Sequence, residues 1–231
     1  MKLCGLQKTT LLDYPGHLAA TIFLGGCNFR CPFCHNSELL GPDAREEYSE
    51  EDILQFLKRR AGILEGVCIT GGEPTLTHDL EPFIRKIRRL GYLVKLDTNG
   101  FQPEVLKDLI SKGLLDYIAM DIKSGRDNYQ QAAGVPGLQI NHIEESVSLL
   151  MNGTLPYEFR TTAVKGIHTA EDFVDIGKWI AGCSHYYIQN YVDSDQVLCP
   201  GYSSFTKEEL MEFVNIVSPY IPQTALRGID Y

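Results

Sequence analysis

The chain has 231 residues, 44% of them apolar, enough for a sizeable core, and is expected to form a single domain spanning 1–231. Thirty acidic against 21 basic residues give a net charge of −9, and the basic runs KRR at 58–60 and RKIRR at 85–89 fall in amphipathic helical patterns, which disfavours a nucleic-acid partner. No apolar run approaches the length of a membrane span, and the opening MKLCGLQKTT makes a poor signal peptide, so no membrane association and a cytoplasmic location are expected.

Strand-like apolar runs at 18–24, 66–70, 92–97, 116–122, 157–164 and 185–190 alternate with helical patterns near 50–60, 79–89, 103–112, 141–151, 170–181 and 206–217. Ser49 before EED and Thr169 before AEDF read as N-caps, and Gly91, Gly113 and Gly153 as C-terminal caps. The segments 35–49, 124–140 and 191–205 read as long connections, and the chain is expected to end in a short helix and an extended LRG segment. Alternating strands and helices imply parallel βαβ units with right-handed crossovers. Six units are too few to close an eight-stranded barrel, so the predicted fold class is α/β, an open partial (β/α)6 barrel.

Parallel α/β folds place their sites at the carboxyl ends of the strands. The chemically informative residues obey that rule: GGC follows the first predicted strand, GGEP the second, DTNG ends the third, DIK the fourth, and Gln189–Asn190 the sixth. In GGCNFRCPFCHN, Cys27, Cys31 and Cys34 form a C-x3-C-x2-C pattern with no fourth cysteine nearby. A structural zinc site is normally closed by four ligands, and an electron-transfer 4Fe–4S cluster takes four thiolates. Three thiolates leave one iron open to a substrate or cofactor. Seven cysteines in this pattern do not read as a disulfide scaffold, and Cys68 in GVCIT reads as a buried core residue. Cys4, Cys183 and Cys199 are scattered and suggest no second cluster.

The residues CNFRCPFC resemble the cluster motif of the radical S-adenosylmethionine (SAM) enzymes. LLDYPGHLAATIFLGGCNFRCPFCHN followed by TGGEPTL, LDTNG and MDIK is similar to the activating enzymes of glycyl radical enzymes. Within these, the opening KTTLLDYPGH looks most like the activating protein of the anaerobic ribonucleoside-triphosphate reductase.

The resemblance implies that Cys27, Cys31 and Cys34 bind a 4Fe–4S cluster that reductively cleaves SAM to a 5′-deoxyadenosyl radical, which abstracts hydrogen from a glycine of a partner enzyme. That partner would be the large subunit of anaerobic ribonucleotide reductase, with flavodoxin or ferredoxin as electron donor. The cofactor-binding set it implies is Phe33 near the adenine, Gly71, Gly72 and Glu73 at the amino group of SAM, and Asp97 and Thr98, with Lys123 ending the fourth strand. From the residues themselves, Arg160, a lone arginine on the fifth strand, reads either as the partner of a buried acid or, facing the lumen, as a clamp on the carboxylate of SAM, and Gln189 and Asn190 read as contacts to its adenine or ribose. Asp97 and Asp121 would hold a monovalent cation, with backbone oxygens from Thr98 and Ala119; the alternative is a salt bridge from one of them to Lys123. Asp13 would meet the substrate chain. His35 reads either as a cluster neighbour or as a surface residue. Two other readings compete: a radical SAM enzyme acting on a small molecule such as a deazapurine precursor, and an electron-transfer or oxygen-sensing protein that does not cleave SAM.

Overall fold

The computed structural model describes residues 1–228. Its strands are β1 (Leu3–Thr10), β2 (Ala19–Leu24), β3 (Gly66–Gly71), β4 (Leu93–Thr98), β5 (Tyr117–Asp121), β6 (Tyr157–Ala163), β7 (Tyr186–Asn190) and β8 (Thr224–Arg227). Its α-helices are α1 (Glu50–Arg60), α2 (Leu80–Arg89), α3 (Pro103–Ser111), α4 (Tyr129–Ala133), α5 (Ile140–Met151), α6 (Ala170–Trp179) and α7 (Lys207–Val217). The strands follow one another in chain order across one sheet. β1 is antiparallel to β2, whereas β2–β3, β3–β4, β6–β7 and β7–β8 are parallel. From β2 to β7 each strand is followed by at least one helix, which is the six-unit, open α/β pattern expected. β1 and β8 extend it, and α4 lies in a segment expected to be a plain loop.

The chain divides into two compact units, one made of residues 1–28, 38–119 and 154–156, the other of 29–37, 120–153 and 157 onward. In the first, α1 begins with a capping box between Ser49 and Asp52, and Gly91 and Gly113 follow α2 and α3 with φ of 91° and 62°. Alternation gives its strands two faces. Ala20, Val67 and Val94 stand in register on one, and Ile22 with Ile69 and Leu96 beside them, all fully buried. On the other face Thr21, Cys68 and Lys95 are in register, also buried.

In the second unit, α6 starts on a capping box between Thr169 and Asp172 and packs with α7 through stacked rings of Phe173 and Phe213, 4.1 Å apart. Asn152 caps α5, and Gly153 is not among the glycines with positive φ. Glu158, wholly buried on β6, receives two hydrogen bonds from Arg227 of β8, and the Arg227 guanidinium lies 3.7 Å over the Tyr187 ring. A buried carboxylate is tolerable only with such a partner.

Candidate active site

The first unit holds Cys27, the GGEP turn and the DTNG turn. Gly71 has φ of 115°, and a Cβ there would lie 2.4 Å from the Leu24 carbonyl oxygen; at Gly72 it would lie 2.1 Å from the Gly26 oxygen. The amides of Gly72 and Glu73 donate to those same two carbonyls at 2.8 and 2.7 Å. The two glycines therefore let the end of β3 touch the backbone that leads into Cys27. Gly26 in turn donates to the Leu39 carbonyl at 2.7 Å.

Glu73 is 1% exposed and accepts from the amides of Asn99 (2.6 Å) and Thr75 (3.1 Å) and from the hydroxyls of Thr98 (2.8 Å) and Thr75 (2.5 Å). Burial pushes its carboxyl upward, against these hydrogen bonds. Glu73 thus ties GGEP to the DTNG turn. Asn99, missed as a site residue from sequence, bonds Asn28 at 2.9 Å and comes within 4.0 Å of the Cys27 sulfur. Asp97 pairs with Lys95 on its own strand. Ala119, expected to offer a backbone oxygen, is fully buried. Asp13 accepts from the Thr21 hydroxyl at 2.5 Å, and buried Tyr14 packs edge-on to His17, which bonds Glu65 at 2.7 Å.

The second unit holds Cys31, Phe33, Cys34, Asp121, Lys123, Arg160 and Asn190. The cysteine loop turns through the Cys34 amide on the Cys31 carbonyl at 3.0 Å and is held from two distant segments. The Arg30 amide donates to the Ala133 carbonyl of α4 at 2.9 Å, and the amides of Leu198 and Cys199 donate to the carbonyls of Cys34 and Pro32 at 3.2 and 2.9 Å. His35 lies 5.4 Å from the Tyr191 ring, and burial pulls its imidazole below the usual range. Asp121 meets Lys123 and Arg160, each at 2.9 Å. Burial would raise the Asp121 carboxyl, but Arg160 and then Lys123 outweigh it and hold it well below the carboxylate range. Lys123 is shifted up because Asp121, followed by Cys31, outweighs its own burial. Both ends of the Asn190 amide are engaged by the Phe205 backbone, at 2.9 and 3.2 Å.

Phe33 is 5% exposed and packs against the His168 ring, 6.0 Å between centroids. His168 is a residue that sequence reasoning missed. Its Nδ1 accepts from the Val164 amide at 3.0 Å, so its proton sits on Nε2, which donates to the Lys123 carbonyl at 2.7 Å. Burial lowers its imidazole from the ordinary value of 6.5. The unfolded chain therefore binds a proton that the folded one refuses, and stability is lost as pH falls below about 6.5. His168→Gln is expected to flatten that loss, which can reach about 1.4 kcal/mol per pH unit, in melts taken from pH 7 to 5.

None of the seven cysteines is in a disulfide. Among the described residues no three His, Cys, Asp or Glu converge to hold a single metal ion. Thiolate sulfur is the donor that an iron–sulfur cluster takes, and Cys27, Cys31 and Cys34 supply three such donors within eight residues of sequence, which fits a 4Fe–4S cluster. No helix among the described residues is long and apolar enough to cross a membrane.

Comparison with known proteins matches the Radical SAM superfamily over residues 21–180. A Methanocaldococcus jannaschii protein, provisionally named a glycyl-radical enzyme activating enzyme, is 33% identical over 98% of this chain and 95% of its own length. A protein of Thermococcus kodakarensis, provisionally named GTP 3′,8-cyclase, is 31% identical over 63% of this chain and 47% of its own. Among solved structures, Streptococcus suis SuiB bound to its precursor peptide SuiA has a TM-score of 0.69 at 16% identity, covering 90% of this chain and 48% of SuiB. SuiB has also been solved with SAM bound. The chain spans about half the length of the cyclase and of SuiB. The match to the superfamily and the order of motifs along the strands agree: the chain belongs to the radical SAM superfamily and is an oxidoreductase that uses a 4Fe–4S cluster and SAM.

Proposed function

We propose that the chain activates a glycyl radical enzyme, and that its partner is the large subunit of an anaerobic ribonucleoside-triphosphate reductase. The end-to-end match with the M. jannaschii relative, 95% of that protein at 33% identity, carries the first part. The opening KTTLLDYPGH, by its resemblance, supports the second. The partial match to the cyclase favours a small-molecule substrate as a second reading, but it leaves out more than half of the cyclase.

In this reading Cys27, Cys31 and Cys34 hold the cluster, which when bound supplies the electron for reductive cleavage of SAM. Gly71, Gly72 and Glu73 present a rigid backbone edge to the amino group of SAM, with Thr98 beside it. Lys123 and Arg160 offer cationic donors to its carboxylate, and Asp121 fixes where those donors point. Phe33 and Asn190 shape the adenosine side through the ring and the backbone they hold. The electron comes from flavodoxin or ferredoxin.

The test is anaerobic reconstitution with iron and sulfide, reduction, and addition of SAM and the reductase subunit. A glycyl radical doublet in the EPR spectrum together with 5′-deoxyadenosine is the expected result. Deoxyadenosine without the doublet would reject this partner and leave another glycyl radical enzyme or a small-molecule substrate. Neither signal, with the cluster intact, would point to electron transfer alone.

A further inference from the structure

Lys95 lies in the middle of β4, in the run VKLD, and is 1% exposed. Burying an ammonium costs free energy unless an opposite charge stands beside it. Asp97, two residues on and on the same face of the strand, supplies it: the Lys95 Nζ donates to Asp97 Oδ1. The same Nζ lies 3.7 Å from the sulfur of Cys68, its register partner on β3. Asp97 retains 14% side-chain exposure, so the pair ends in a carboxylate that reaches the rim.

The resemblance puts a monovalent cation at Asp97 and Asp121. Such an ion wants carboxylate and carbonyl oxygens, not carboxylates already neutralised by fixed cations. Asp97 is met by Lys95, and Asp121 by Lys123 and Arg160. The residues present therefore do not fit a monovalent metal ion at either carboxylate. We infer that the Lys95 ammonium takes that ion's place in this chain, so that SAM binding does not depend on monovalent metal ions. The charge is tethered to the strand that carries Asp97. It is present at a high effective concentration whatever the salt, and an incoming ion would have to displace it against like-charge repulsion. The inference rests on reading the Asp97 rim as part of the SAM site.

The experiment measures the SAM dissociation constant of the reconstituted protein in choline, sodium and potassium chloride at equal ionic strength. The wild-type value is expected to vary by less than about twofold, because ionic strength is held constant. Lys95→Met is expected to bind SAM roughly tenfold more weakly in choline and to recover in potassium, since the ion then fills the vacated charge. Lys95→Arg keeps the charge and is expected to remain indifferent to the salt. A wild-type affinity that tightens about fivefold or more with sodium or potassium would overturn the inference. So would a folded Lys95→Met that behaves as the wild type. If Lys95→Met does not fold, the wild-type and Lys95→Arg salt series decide. Loss of SAM binding in every salt would reject the site assignment together with the inference. No arm needs a partner protein, so failure of the glycyl radical reading is distinguishable.

Discussion

Cys31→Ala is expected to abolish 5′-deoxyadenosine formation, lowering it at least roughly a thousandfold, because the protein's own groups cannot supply the electron for the cleavage. An alanine offers no ligand to an iron, and the two remaining thiolates of the loop hold a three-thiolate cluster poorly. The substitution removes a 6% exposed side chain whose charge Lys123 faces. Iron content, visible absorbance and deoxyadenosine measured on one preparation check it. A variant that keeps both iron and deoxyadenosine would sink the assignment of Cys31 to the cluster.

Gly134→Ala is expected to destabilise the fold and to lower cluster occupancy together. Gly134 ends α4 in the left-handed conformation, φ 64°, and a Cβ there would lie 1.9 Å from the Arg30 carbonyl oxygen. That oxygen belongs to backbone, which cannot rotate away. The Arg30 amide is already bonded to Ala133, so the cysteine loop itself must shift. Left-handed strain and overpacking together cost roughly 2–4 kcal/mol. For a chain of this size that lowers Tm by about 5–12 °C. Gly137→Ala, on the same loop with φ 75° and no atom within 4 Å of the added carbon, isolates the conformational part. Equal losses in the two variants would show that contact with Arg30 contributes nothing.

The six βα units were legible because each strand is short, apolar and followed by a periodic helix. The rim motifs were legible because glycine, proline and acid cluster where strands end. β1 was not. Its pairing with β2 shifts register between Leu3 and Gly5 and again between Gln7 and Thr10, which breaks the alternation a strand is recognised by. α4, with five residues, is too short to show a period. The resemblance places the GGEP glycines at SAM, and what sequence could not show is that their absent side chains also make room for the backbone of Leu24 and Gly26. The expected alternative, a salt bridge from Asp97 or Asp121 to Lys123, is made by Asp121, whereas Asp97 pairs with Lys95, a lysine among valine and leucine two residues earlier that was the available signal. His168 was illegible because its partners, Val164, Lys123 and Phe33, come from three separate segments.

The bonds that shape the cysteine loop set an order of events during synthesis. Cys31 and Cys34 leave the ribosome first, Ala133 roughly a hundred residues later, and Leu198 and Cys199 some 65 residues after that. At ordinary elongation rates the interval between the cysteines and their last support is roughly 8–35 s. Through that time the thiols ride on a nascent segment with no template for their final turn. The loop acquires its full set of supports only once Cys199 has been made, so metal loading into the finished geometry follows the synthesis of that segment.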